Sequence, residues 1–144
     1  MQANRISGRQ CPSDEESPSE TPLREAATSP AAAYLAVREA TVELCAPLAV
    51  EDHVVQSMPD ASPAKWHLAH TSWFFEEFVL ARAVTDYCPY AGAFRYLFNS
   101  YYNSVGPMHS RAARGMLSRP TVAEVLAYRA AIDGRMPALL GAGR

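Results

Sequence analysis

The stretch "SPAKWHLAHTSWFFEEFVL", Ser62 to Leu80, constrains the fold more than any other part of the chain. Ser62-Pro63 opens it: serine caps a helix and proline fits the first helical turn. From there to about Val84 the spacing predicts one helix. Trp66, His70, Trp73, Glu77 and Leu80 recur at i, i+4, i+7, i+11 and i+14, so they share one face. His67, Phe74, Phe78 and Ala81 make a neighbouring face. A helix that is apolar on more than one face is buried on more than one side. Such a helix needs other helices around it or a second domain over it.

The remaining chain offers helices to do this. Ser29-Pro30 opens one in which Tyr34, Val37, Thr41 and Leu44 share a face, and Pro47 ends it. The connector "LAVEDHVVQSMPDA" holds at most one short turn, around Glu51 to Val55. Thr121 and Glu124 make a capping box for a third long helix, whose stripe runs through Val122, Val125, Leu126, Ile132, Met136 and Leu139. Gly134 and Pro137 interrupt that stripe. Between Asp86 and Arg119 lies a long connection rich in tyrosine and phenylalanine, with a short helix expected around Phe94 to Asn103. Long ordered connections are uncommon in compact domains and are often functional. No segment alternates as a strand and none repeats. The expectation is an all-α helical bundle over residues 29–144, with three of four helices present. Residues 1–28, rich in Ser, Pro and acidic residues, read as a disordered tail.

Composition excludes several partners. Net charge is −2 and 49% of residues are hydrophobic, so no strong field draws the chain to nucleic acid or to an anionic membrane. No run reaches the ~18–20 apolar residues of a membrane span. The N-terminal sequence has no apolar secretory core. Cys11, Cys45 and Cys88 are far apart and odd in number, which argues against a zinc knuckle or a disulfide framework and for a reducing cytoplasm.

Few residues carry chemistry. His67 and His70, three apart on a helix, are either ligands or acid–base groups, or buried polar residues of the core; H-x-x-H alone does not decide. His53 reads as exposed in a polar connector, and His109 as a solvated loop residue or a site-lining one. Glu76 and Glu77 point in different directions and form no dyad, although Glu77 shares the face of His70. Arg111 and Arg114, in "HSRAARG", are either a solvated basic loop or a clamp for a small acid, since guanidinium forks bind carboxylates bidentately.

The two segments "QSMPDASPAKWHLAHTSWFFEEFVL" and "LFNSYYNSVGPMHSRAARGMLSRPTVAEVLAYRAAID" together resemble one family. It is the N-terminal DinB-like domain of the EgtB-type iron-dependent sulfoxide synthases of ergothioneine biosynthesis. The resemblance covers about Tyr34 to Ile132, and a selenoneine-forming relative shares much of the pattern. It implies a four-helix DinB-like bundle fused to a C-terminal domain, and a non-haem Fe(II) held by three histidines. The second histidine of "WHLAH", His70 here, corresponds to one ligand, and His67 to a residue that packs or supports the ligand from behind. The other two ligands belong to an H-x-x-x-H motif on the fourth helix. The implied reaction is dioxygen-dependent and joins a thiol, gamma-glutamylcysteine or cysteine, to trimethylhistidine as a sulfoxide. Arg111 and Arg114 match the loop that holds the thiol substrate's carboxylates.

The chain contains no H-x-x-x-H, and His53 and His109 are not spaced to replace it. The expectation is therefore a polypeptide that ends before the fourth helix, does not hold Fe(II) alone and is inactive alone. The apolar groove normally covered by that helix would favour self-association or a complementing chain. Two alternatives stand beside this reading: a non-catalytic helical binding module, and a stand-alone DinB-like thiol-dependent metalloenzyme.

Overall fold

A computed structural model describes residues 29–142 of the chain. The expected tail, residues 1–28, lies outside them. Helix α1 spans Pro30–Glu43, and its first amides are capped as expected: Ala32 N–H donates to Ser29 Oγ at 3.2 Å. Its buried face differs from the expected one. Tyr34 and Arg38 point inward, whereas Val37 is 67% and Leu44 81% exposed. The inward stripe follows i, i+4 through a charged residue, because Arg38 finds its partners inside the bundle. Reading only the apolar letters therefore rotates the helix.

Helix α2 spans Ala64–Phe75 and continues through a π-helical turn, Glu76–Leu80, into α3, Ala81–Ala83. This is the single long helix the spacing predicts. Its buried residues include Lys65, Trp66, Leu68, Ala69, Ser72 and Trp73, which lie on several sides. Helix α4, Phe94–Leu97, is shorter than expected. The chain cannot continue as helix because Tyr101 adopts φ +62° and Asn99 bonds the loop beyond it. Helix α5, Val122–Asp133, carries both halves of its capping box, with Thr121 N–H donating to Glu124 at 2.6 Å. At Gly134 it stops, and α6, Met136–Ala142, begins at once. Pro137 sits in the first turn of α6, where it costs no hydrogen bond, so it starts a helix rather than breaking one.

Helix α2 packs along α5, and α1 packs on α6. Trp73, Leu80, Phe98, Val125, Tyr128 and Ile132 form the centre of the core, each with no more than 1% of its surface exposed. No strand occurs among the described residues, and the fold is the all-α bundle expected. No helix of the described residues is long and apolar enough to cross a membrane.

A buried polar cluster ties three helices together. Arg38 Nε donates to Asp133 Oδ1 at 2.7 Å, and Tyr34 Oη donates to the same oxygen at 2.5 Å. Arg38 also reaches Thr71 Oγ1 at 3.0 Å and Ser72 Oγ at 2.6 Å on α2. Arg129, on α5, donates to the Leu68 carbonyl at 2.9 Å and to the Arg38 carbonyl at 3.1 Å. Burial and the nearby Arg38 cation push the Arg129 guanidinium down to about 10, still protonated at neutral pH. Breaking a buried, hydrogen-bonded ion pair strands its partners without water. Arg38→Ala is expected to lower unfolding stability by about 3 kcal/mol. Arg95→Ala removes an ion pair whose arginine is 58% exposed; it should cost about 0.5 kcal/mol or less. Urea denaturation of the two variants checks the contrast.

Candidate functional site

The face of α2 that carries His70 builds a stack of four planar groups. The Trp66 and His70 rings lie 4.6 Å apart at 14°, and His70 and Trp73 lie 5.4 Å apart at 20°. The spacing i, i+4, i+7 places them one above another along the helix. The guanidinium of Arg114, from a 3-10 turn at Arg111–Met116, covers the Trp66 ring at 3.5 Å. The order is guanidinium, indole, imidazole, indole.

His70 is fixed at one ring nitrogen. Its Nδ1 lies 2.7 Å from the Phe98 carbonyl, which only accepts, so Nδ1 carries the proton and donates. Nε2 is then the unprotonated nitrogen. Among the described residues it makes no hydrogen bond, and these residues do not seal it from solvent. Burial lowers the His70 pKa below the ordinary histidine value, and the Arg114 cation lowers it further, against the raising effect of the Phe98 carbonyl. The imidazole is neutral at neutral pH.

The stack borders an open cleft of about 330 Å³ lined by Ser62, Trp66, His67, His70, Arg111 and Arg114, with Asp60, Ala61 and Ser100 at its margin. The structure thus brings His70, Arg111 and Arg114 to one place, from elements 41 residues or more apart in sequence. Arg114 is only 2% exposed, yet its donors meet neutral oxygens: Ser62 Oγ at 2.8 Å and Ser100 Oγ at 3.3 Å. Arg111 Nη1 reaches the Asp60 carbonyl at 3.4 Å, and the Nε atoms of both arginines are buried without partners. The ion pairs among the described residues are Arg38–Asp133 and Arg95–Glu77, so neither cleft arginine is neutralised by one. Burial and the Arg111 charge push Arg114 down to about 10. Burying a cation without a counter-charge is costly, and a guanidinium fork matches the geometry of a carboxylate.

Other candidates are placed differently. His67 is not packed inside; it stands exposed on the cleft wall, edge-on to Trp66 at 5.5 Å. His53, expected to be exposed, is buried, with Nδ1 bonded to the Ala49 carbonyl at 2.9 Å, because the 3-10 turn Asp52–Val54 folds it inward. His109 is half-buried and its Nε2 bonds the Ala113 carbonyl at 3.1 Å, outside the cleft lining. Glu77 shares no contact with His70. It pairs with Arg95 at 3.2 Å and borders a separate cavity. Glu76 is buried and accepts from Tyr87 Oη at 2.9 Å, Tyr90 N–H at 2.7 Å and Tyr128 Oη.

Two supporting residues were not predicted. Gln56 donates to the Arg111 carbonyl at 2.8 Å and the Ala61 carbonyl at 2.9 Å, and accepts from Gly115 N–H at 2.6 Å. It thereby clamps the arginine turn to the start of α2. Asn99 does the same for the loop after α4. Single amides of this kind have no sequence signature; their partners lie far along the chain.

A family-level sequence comparison matches residues 33–143 to the DinB superfamily. The chain belongs to the DinB superfamily. The match covers most of the chain and agrees with the all-α bundle. No curated protein matches it. For a DinB domain the natural question is a metal at the histidines. The described residues contain no group of three or more His, Cys, Asp or Glu that could hold one. His70 offers one prepared nitrogen, and His67, three residues before it on α2, lines the same cleft.

Two outcomes test this site. His67 and His70 both have pKa values below the ordinary 6.5, lowered by burial and then by the cleft arginines. The unfolded chain therefore binds more protons, and stability should fall as pH drops through about 6.5. His70→Asn should flatten that slope in urea midpoints measured between about pH 8 and pH 5.5. Separately, a Cβ on Gly115 would lie 2.7 Å from Gln56 Cβ. Gly115→Ala should cost about 1–3 kcal/mol and loosen the Arg111–Met116 turn, detectable as faster amide exchange at position 115 and at Leu117.

Proposed function

We propose that this DinB domain is the first-ligand half of an EgtB-type, Fe(II)-dependent sulfoxide synthase. In this reading His70 supplies one of three imidazoles, and an H-x-x-x-H segment outside residues 1–144 supplies the other two. Arg111 and Arg114 hold the carboxylates of the thiol substrate, gamma-glutamylcysteine or cysteine. Trimethylhistidine is the second substrate. Iron, when bound, supplies the dioxygen-dependent oxidation; alone, the chain is inactive. The observation that carries the reading is the prepared His70. Its Nδ1 proton is held by the Phe98 carbonyl and its neutral Nε2 is open beside two arginines with no ion-pair partner. Metal-ligating histidines typically have this arrangement, with the second ring N–H donated to a carbonyl or carboxylate. The two long sequence motifs, running in the same order as in that family, supply the specific substrates.

A second reading, a non-catalytic helical binding module, is favoured by Val37 and Leu44. They are seven apart on α1 and both largely exposed.

Anaerobic Fe(II) titration separates the readings. The chain alone should bind no iron stoichiometrically. Mixed with a polypeptide carrying the H-x-x-x-H helix and C-terminal domain of a sulfoxide synthase, it should bind one equivalent, lost in His70→Ala. Arg114→Ala should retain the iron and weaken gamma-glutamylcysteine binding at least tenfold, the scale of a charge-assisted pair. No iron uptake by the mixture would overturn the synthase reading. Tight binding by the unmixed chain, abolished by His70→Ala, would show that it needs no second segment.

A further inference from the structure

The stack at the cleft is read by one short stretch of backbone. Trp66 Nε1 donates to the Leu97 carbonyl at 3.0 Å. His70 Nδ1 donates to the Phe98 carbonyl at 2.7 Å. Arg114 reaches the Asn99 carbonyl at 3.5 Å and Ser100 Oγ at 3.3 Å. Successive residues Leu97, Phe98, Asn99 and Ser100 thus present acceptors to three of the four members of the stack. The helix ends there, so these carbonyls are free of intrahelical partners.

What holds this row of acceptors is the side chain of Asn99, which is 1% exposed and turned away from the cleft into its own loop. Nδ2 donates to the Gly106 carbonyl at 2.9 Å, with longer contacts to the Tyr102 and Pro107 carbonyls at 3.4 and 3.5 Å. Oδ1 accepts from Tyr102 N–H at 3.3 Å. The loop it closes is strained: Tyr101 has φ +62°, a conformation costly for an aromatic residue, and Gly106 has φ +126°. A strained loop relaxes unless something over-determines it. The Asn99 amide bonds both ends of the turn at once.

We infer that Asn99 is a positioning residue: its side-chain amide locks the Leu97–Ser100 acceptor row and thereby sets the tautomer of His70 and the seat of Arg114. It touches neither substrate nor metal. Its relevance to function rests on the synthase reading above, but the tautomer does not. If the row shifts, the Phe98 carbonyl no longer claims the Nδ1 proton. The proton then distributes over both nitrogens, and Nε2 is open to a ligand only part of the time.

The test is long-range ¹H–¹⁵N correlation of the histidine rings in the full chain, without metal, at about pH 8, where histidine is neutral. The unmodified chain should show His70 with a protonated Nδ1 and an unprotonated Nε2. Asn99→Ala should bring the two ¹⁵N shifts together, as for a mixture of tautomers. Asn99→Asp, which keeps the shape and the acceptor but loses the donor to Gly106, should do the same. Ile132→Ala is the control. It truncates an equally buried side chain on α5, and should lower stability without moving the His70 shifts. An unchanged His70 pattern in both Asn99 variants, with only stability reduced, would overturn the inference. If both variants fail to fold, the unmodified chain still decides. Its Asn99 side-chain amide protons should exchange far more slowly than those of exposed amides, and free exchange would overturn the proposal. Because no iron enters the measurement, its failure and a failed iron titration are separate results.

Discussion

Two arginines are buried between three helices, and one of them, Arg38, pairs with a carboxylate. Arg38 and Arg129 both meet α2, one at Ser72 and the other at the Leu68 carbonyl, and they converge on Thr71. Asp133 answers Arg38 directly. Fixed guanidinium forks accept little rotation of the helix they grip. With Leu68, Thr71 and Ser72 held toward α1 and α5, α2 can present only one other face to the segment between α4 and α5. That face carries Trp66, His70 and Trp73. The site thus follows from the interior electrostatics of the bundle as much as from its apolar packing.

The cleft carries an inverse arrangement. There, Arg114 is buried and Arg111 half-buried with no carboxylate paired to them among the described residues, and His70 sits beside them held neutral. A folded domain that served only as a scaffold would gain by pairing Arg114 or by replacing it with an apolar side chain. Instead Arg114 lies flat on Trp66, its charge met by hydroxyls and a carbonyl, its Nε without a partner. Among the described residues no carboxylate offsets the cost of burying that charge. The strained backbone at Tyr101, over which Arg111 lies at 5.0 Å, belongs to the same region. Stored strain and a buried charge thus occur in one place.

Helix starts were legible because local chemistry fixes them. Ser29-Pro30 and Thr121 with Glu124 act within three or four residues, and both caps form as the sequence predicts. The long α2 was legible because its apolar residues surround it. The rotation of α1 was not, because the residue that decides it is an arginine whose partners lie 33 to 95 residues away. Pro137 was misread for a related reason: a proline breaks a helix or begins one, and Gly134 before it decides which. His53 and His67 exchanged their expected environments, since burial of a lone histidine depends on neighbours that periodicity does not name. Gln56 and Asn99 were invisible for the same cause. Each is an amide whose work is to bond backbone groups of a distant or strained segment.

His70 is the point where these levels meet. An imidazole placed only for packing between Trp66 and Trp73 would be served as well by an apolar ring, which needs no hydrogen bond and no desolvation. The chain instead keeps a polar ring there and assigns its Nδ1 proton to a backbone carbonyl. Burial and adjacent cations keep it neutral, and Nε2 is left open. Each of these features raises the availability of one lone pair at neutral pH. The described residues hold no group of three or more His, Cys, Asp or Glu that could bind a metal ion. The position of the open nitrogen is set by the Leu97–Ser100 acceptors and by Arg38 and Arg129 behind α2, which together preorganise its lone pair.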